Sequence, residues 1–456
     1  MTNISRRDFA KFGLWNALTL PLVSKLEASE AKENDHFFLG IIVSGGLDVS
    51  YTFDARPRTM RDAGKLAIYF DGTDDERLIP WQGKNGQATL ATKFVKPLIP
   101  FKNEISIVNG VLMTPQFDGH TENLNYLLTN NPFGGDAFMP VLSERGSMPL
   151  DYVATQLFGA NIRNNKRGLS IDSNTGAKLA DFIRAKRKLD LESRIVRFAK
   201  ERMEHGGKRN DRFGSASGLM GTQLASSPDL ETRLSQMKFQ QSEDGDSFAR
   251  DMAFIGEVFR NKVAQSMIIN LFSGNVDSHD SESASEYPTL VEEVSLQVAQ
   301  IFQFLKDTPF DNTRSLWDVT TVMLTSEFSR TMRQQDVSID QSGTDHNSLN
   351  NTVILAGRGI RPGLVIGQTD FQTSDENLSG AHKSLDPKAL KFVGKPFDFK
   401  AHTPKSSSPD TFDQSEYLNF SSIVNTLYAA FGVSKDRYLN VGRDLGVAPV
   451  LSNLIS

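Results

Sequence analysis

Phe37-Phe38-Leu39-Gly40-Ile41-Ile42-Val43 is an almost unbroken apolar run that ends in Ser44-Gly45-Gly46. A short run without polar alternation predicts a strand buried on both faces, central in a parallel sheet and followed by a glycine loop. Similar runs at 105–108, 267–272, 319–325 and 352–356 predict four more strands. Between them the apolar positions recur at helical spacing, which predicts helices over 120–129, 150–158, 179–204, 230–241, 247–265, 290–305 and 417–431. Strands alternating with helices imply an α/β fold, a mostly parallel central sheet flanked by helices. The charged block 179–265 reads as a helical insertion laid over that sheet. From 370 to 414 the chain turns to Ser, Asp, Lys and Pro, a stretch too long for an ordinary connector and expected to be flexible or to cover a site. His382 and His402 fall in this stretch and read as surface residues. No internal repeat of fixed period is present.

The first residues follow a different logic. Arg6 and Arg7 precede a modest apolar stretch over 12–24 and a small-x-small site at Ser29-Glu30-Ala31, the three-part layout of an export signal. Ser5-Arg6-Arg7-Asp8-Phe9-Ala10-Lys11 resembles the twin-arginine signal of bacteria. The resemblance implies export of an already folded protein by the twin-arginine translocase, cleavage after Ala31 and a periplasmic mature chain, residues 32–456, forming a single domain. The leader carries four Lys or Arg against three Asp or Glu, so its removal leaves the chain slightly more acidic. No other apolar run is long enough for a membrane span.

Composition narrows the chemistry. The 456 residues include no cysteine, which excludes disulfides, thiolate nucleophiles and Cys-ligated metals. At 39% hydrophobic and 23% charged the chain is ordinary globular material, neither disordered nor collagen-like. A net charge of -5 with both signs interspersed offers no basic surface for a duplex, so nucleic acid is not an expected partner. Any metal must sit on nitrogen and oxygen.

In open α/β sheets ligands collect beyond the carboxyl ends of the strands. Those ends are rich in carboxylate and imidazole here: Asp48 and Asp54 after the first run, Asp277 and His279 after the third, Glu327 and Arg330 after the fourth, then Asp345 and His346. Carboxylates with neutral imidazoles suit Zn, Mn or Fe, and carboxylates with water suit Mg or Ca. Asp48, Asp277, His279, Glu327, Asp345 and His346 are therefore the candidate ligands of a divalent ion. Asp277 and His279, two apart, share one face of an extended chain and can enter one cleft. Asp345 and His346 are adjacent; in a loop both converge, or one orients the other. Each of these residues alone would more often cap a turn or form an ion pair, and it is their co-occurrence at three strand ends that points to a site.

The order Gly45-Gly46-Leu47-Asp48, Asp277-Ser278-His279, Ser326-Glu327-Phe328-Ser329-Arg330-Thr331 and Gly343-Thr344-Asp345-His346 resembles a bacterial twin-arginine-exported family of unknown function. That family is itself similar to the sulfatase and alkaline-phosphatase superfamily. The resemblance extends to the glycine-rich segment 356–367 and the closing helix over 420–432, and it implies an alkaline-phosphatase-like α/β domain. The sequence departs from the family pattern at Asn275-Val276, Ser329 and Asn347 while keeping the acidic and imidazole groups. His120 stands where the family has a Ser-His-Phe segment before a helix, and it reads equally as an anion or metal contact and as a helix cap. Arg330 is the candidate clamp on phosphate or sulfate, with an ion pair to Glu327 or another carboxylate across the cleft as the alternative.

Two functions follow. One is a periplasmic metal-dependent hydrolase of phosphate or sulfate esters, whose substrate is an anionic small molecule or a glycan ester. The other is a non-catalytic envelope protein that uses the same fold to bind a glycan or a partner protein. The superfamily's clear nucleophile is missing: Ser50 and Thr52 lie near Asp48, in no recognisable signature, and read better as turn residues, with Ser50 the candidate hydroxyl. The pairs Gly45-Gly46 and Gly357/Gly359 match no phosphate-binding motif and read as turns.

Overall fold

Eight strands make the central sheet of the computed structural model, which describes residues 35–57, 66–67, 74–144, 148–155, 160–163, 168–171, 232–233, 236–237, 247–271, 276–334, 343–371, 391–406, 413–441 and 445–456. The strands and helices that frame the site are β1 (Phe37–Val43), β2 (Ile105–Asn109), α1 (His120–Thr129), β3 (Leu150–Thr155), β4 (Gly168–Ile171), α2 (Ser247–Arg260), β5 (Ala264–Leu271), α3 (Ser281–Asp307), β6 (Thr320–Thr325), β7 (Ser329–Arg330), β8 (His346–Asn347), β9 (Thr352–Gly357), β10 (Val365–Ile366) and α4 (Phe420–Ala430). The sheet order is β10-β2-β9-β6-β1-β5-β3-β4. β1 lies parallel to both β5 and β6, with Ile41 opposite Ile269 on one side and Leu324 on the other. β5–β3, β3–β4 and β10–β2 are also parallel, while β9 runs antiparallel between β6 and β2. The mostly parallel α/β architecture expected from the sequence is therefore present.

The unbroken apolar composition of β1 has a direct cause. Successive side chains of a strand point to opposite faces. Phe37, Leu39, Ile41 and Val43 pack on one side with Ile255, Val258 and Phe259 of α2 and Val291, Val294, Val298 and Ile301 of α3. Phe38 and Ile42 pack on the other with Leu124, Leu127 and Leu128 of α1 and Ile423, Val424, Leu427 and Tyr428 of α4. Helices on both faces leave no polar side, so alternation is lost. Each fully buried aliphatic or aromatic side chain in these layers contributes about 1.5–3 kcal/mol. The described residues between 36 and 456 form one compact unit.

Four expectations require correction. The segment 150–158 was expected to be helical, but Leu150–Thr155 is strand β3, paired with both β5 and β4. Its Leu150 and Val153 enter one core and Tyr152 and Ala154 the other, so ladder pairing and burial on both faces override a helical spacing of leucines. The helix expected over 247–265 stops at Arg260, where Lys262 adopts a left-handed φ of 50°, and β5 begins at Ala264. The helix expected over 290–305 starts earlier, at Ser281, because Asp280 accepts the Ser283 N–H at 2.7 Å and caps it. Part of the expected loop over 370–414 is paired: 369–371 with 392–394, and 397–398 with 403–404. His402, read as a surface residue, is half-buried and contacts Ser452 Oγ at 3.2 Å. The leader over 1–31, His382, the helix expected over 179–204 and nearly all of that over 230–241 lie outside the described residues. Among the described residues no helix is long and apolar enough to cross a membrane.

Candidate metal centre

Parallel pairing brings the carboxyl ends of β5, β1 and β6 side by side on one edge of the sheet. β2 shares their direction, since both it and β6 are antiparallel to β9, so the loop leading from β2 to α1 starts from that edge too. At this edge His120, Asp277, His279 and His346 each place one donor atom within 4.8 Å of the others. They come from the first turn of α1, the segment after β5, and β8. The two imidazole Nε2 atoms of His279 and His346 are 2.9 Å apart, His279 Nε2 is 3.1 Å from Asp277 Oδ1, and His120 Nε2 is 3.4 Å from Asp277 Oδ2.

The surroundings hold these groups. Glu327, almost wholly buried, accepts at Oε1 from His120 Nδ1 at 2.8 Å and from the Gly45 N–H at 2.8 Å, while its Oε2 accepts from Ser326 Oγ at 2.9 Å. A carboxylate on Nδ1 sets the imidazole tautomer and turns Nε2 towards the other donors. Phe328, fully buried, lies with its ring centre 4.8 Å from that of His120 and 4.6 Å from that of His346. Gly46 has a φ of 82° and sits against this ring so closely that a Cβ there would collide with it. Gly45 likewise has no room for a side chain beside Val276. Close approach of the chain, rather than a phosphate cradle, accounts for the glycine pair.

Charge is concentrated here. Burial lowers the affinity of His120 for a proton, but hydrogen bonds and charge from Asp277 and Glu327 outweigh it and raise its pKa to about 9. Burial favours protonation of Asp277, yet the His120 hydrogen bond and the Arg330 guanidinium hold its carboxyl well below the usual carboxylate range. The His346 pKa is lowered by burial and by the positive groups around it.

The other expected site residues take different places. Arg330 is buried, donates from Nε and Nη2 to Gly45 O at 3.1 and 2.6 Å, and forms an ion pair with Asp277. Asp345 is largely exposed, accepts from its neighbour's backbone, the His346 N–H, at 2.7 Å and lies 3.9 Å from His279 Nδ1. Asp48 is buried and outside the four-donor group. Its Oδ1 accepts from Ser50 N at 2.9 Å and Ser50 Oγ at 2.7 Å, capping the short turn Val49–Tyr51, and burial pushes its carboxyl up to about 7. Ser50 is thereby hydrogen-bonded and 2% exposed, and Thr52 Oγ1 donates to Val49 O at 3.2 Å. The role of Phe328 had no signal in the sequence beyond its position inside the Ser326–Thr331 motif.

The donor set fits a divalent ion. Three imidazoles and one carboxylate match the nitrogen and oxygen ligands of Zn or Mn. His120 Nε2 is buried with only a long contact, 3.4 Å, to Asp277 Oδ2, and it faces the other three donors. A cation there would satisfy it.

Residues 142–383 match the model of a family described as "Protein of unknown function (DUF1501)". Among solved structures, the PsFucS1 sulfatase from Pseudoalteromonas sp. is 12% identical over 95% of this chain and 75% of its own, with a TM-score of 0.39. The lipoteichoic acid synthase LtaP from Listeria monocytogenes is 11% identical over 74% of this chain and 69% of its own, with a TM-score of 0.30. A protein in the alkaline phosphatase superfamily from Vibrio parahaemolyticus is 9% identical over 89% of this chain and 90% of its own, with a TM-score of 0.32. No curated protein matches the chain significantly.

Proposed function

The chain belongs to the DUF1501 family of unknown function, and from that premise we propose that it is a metal-dependent hydrolase of phosphate or sulfate esters, exported to the periplasm by the twin-arginine route. The observation that carries this reading is the convergence of His120, Asp277, His279 and His346 within 4.8 Å at the carboxyl edge of a parallel sheet. A divalent ion bound there supplies Lewis acidity, polarising an ester oxygen and making a water more acidic. The protein's part is to hold the donors: Glu327 orients His120, Phe328 restrains the rings of His120 and His346, and Asp345 lies at the exposed rim beside His279. The sequence resemblance to the sulfatase and alkaline-phosphatase superfamily supports the ester class.

Protein purified without an affinity tag should contain close to one Zn or Mn per chain, and adding that metal to stripped protein should raise its melting temperature. A screen of phosphomonoesters, phosphodiesters and sulfate esters should find a hydrolysis that both Asp277→Asn and His346→Ala abolish while the fold persists. Absence of bound metal and of any thermal shift would sink the proposal. The burial of Ser50, with its hydroxyl committed to Asp48, favours a second reading, a non-catalytic envelope protein that binds a glycan or partner protein. Bound metal with a flat screen is the result that selects it.

A further inference from the structure

Arg330 has the chemistry of an anion clamp but not the exposure of one. Its side chain is 0% exposed. Nε and Nη2 both donate to the Gly45 carbonyl, and Nη2 is also paired with Asp277 Oδ1. Nη1 is buried without a hydrogen-bond partner among the described residues and has no solvent face through which a substrate oxygen can reach it. Its backbone pairs with that of His346 in the β7–β8 ladder, so the residue touches three of the chain segments that build the site.

We propose that Arg330 is a positioning residue: it ties Asp277 and the Gly45 loop together so that the Asp277 carboxylate meets the metal in one orientation, and it does not touch the substrate. The inference rests on the reading of the cluster as a metal centre. The physical argument is geometric. A guanidinium presents several donors in one rigid plane, which lets one side chain serve a carbonyl and a carboxylate at once. A carboxylate held at one oxygen by such a fork has its remaining lone pairs directed at the other donors, here His120 and His279. Lysine, with a single ammonium on a flexible stem, does not reproduce the two attachments.

The test is Zn2+ affinity by chelator competition, together with the visible spectrum of the Co2+ form, for the full chain and for Arg330→Lys and Arg330→Gln. The expected result is a loss of Zn2+ affinity of roughly 10–100-fold in both variants, the size seen when partners of metal ligands are removed, and an altered Co2+ spectrum. Folding of the variants is checked by circular dichroism. Folded variants with unchanged Zn2+ affinity but weakened binding of inorganic phosphate or sulfate would overturn the proposal and restore the clamp. A crystal structure of the unmutated Zn2+ form with phosphate or sulfate decides the matter even if neither variant folds. Arg330 still on Gly45 and Asp277 supports positioning, whereas a guanidinium nitrogen within hydrogen-bond distance of the anion overturns it. Failure of the unmutated chain to bind Zn2+ sinks the metal-centre reading and this inference together, while Zn2+ binding with unaltered variants sinks this inference alone.

Discussion

His120 sits in a helix start, a place where an imidazole can be a cap, an anion contact or a ligand, and its neighbours decide among them. Glu327 occupies Nδ1 and leaves Nε2 facing Asp277, His279 and His346. Glu327→Ala should therefore weaken Zn2+ binding by roughly tenfold or more, and Glu327→Gln by less, because a carboxamide oxygen still accepts from Nδ1. Equal affinities in Glu327→Ala and the unmutated chain would show that the orientation of His120 does not depend on this bond. A second histidine has a different character. His36 is buried, 2.7 Å from Thr321 Oγ1 and stacked on Phe431 at 3.8 Å. Burial, helped by the charge of Arg358, lowers its pKa from 6.5 to about 3. As pH falls through 6.5 the unfolded chain takes up a proton that the folded chain refuses, so His36 reduces stability progressively from there down towards about 3. His36→Gln should flatten the fall of urea midpoint with acidification in that window, and an unaltered slope would refute the assignment.

At the scale of elements, periodicity read the strands better than it read their neighbours. β1, β2, β5, β6 and β9 lie where continuous apolar runs placed them, because burial on both faces leaves a mark in every residue. β3 was mistaken for a helix since Leu150, Val153 and Leu157 also satisfy helical spacing over so short a stretch, and its pairing with β5 and β4 comes from residues more than a hundred positions away on one side. Helix ends depend on caps. The Asn419 side chain accepts from the Ser422 N–H at 3.0 Å at the start of α4, and Asn419→Ala should cost about 1 kcal/mol, with a range of about 0.5–2, in chemical denaturation. The glycine turn after β1 has a stricter demand. Gly46→Ala must place a methyl against the Phe328 ring at a backbone φ of 82°, so it should destabilise by about 1–3 kcal/mol and weaken metal binding with it. Stability equal to the unmutated protein would mean that the ring moves aside freely.

For the whole molecule, the site is an outcome of strand order. β5, β1 and β6 are adjacent and parallel, so segments over two hundred residues apart end at the same edge and their carboxylates and imidazoles meet. A ligand that binds only this assembled state stabilises all of it. Zn2+ at about 100 times its dissociation constant should add about 2.7 kcal/mol to unfolding, and a chelator should remove it. A denaturation midpoint indifferent to both would be incompatible with a metal centre on these four donors. The sequence by itself determined the class of fold, since apolar runs and helical spacing record local burial, and it determined the permitted chemistry, since a chain without cysteine leaves metals to Asp, Glu and His. It also placed the candidate donors at strand ends. Tertiary structure alone decided which of them meet: His120, Asp277, His279 and His346 converge, Glu327 and Arg330 stand behind them, and Asp48 with Ser50 closes a buried turn. Proximity across the sheet depends on register and strand order, and neither is written in the spacing of residues along the chain.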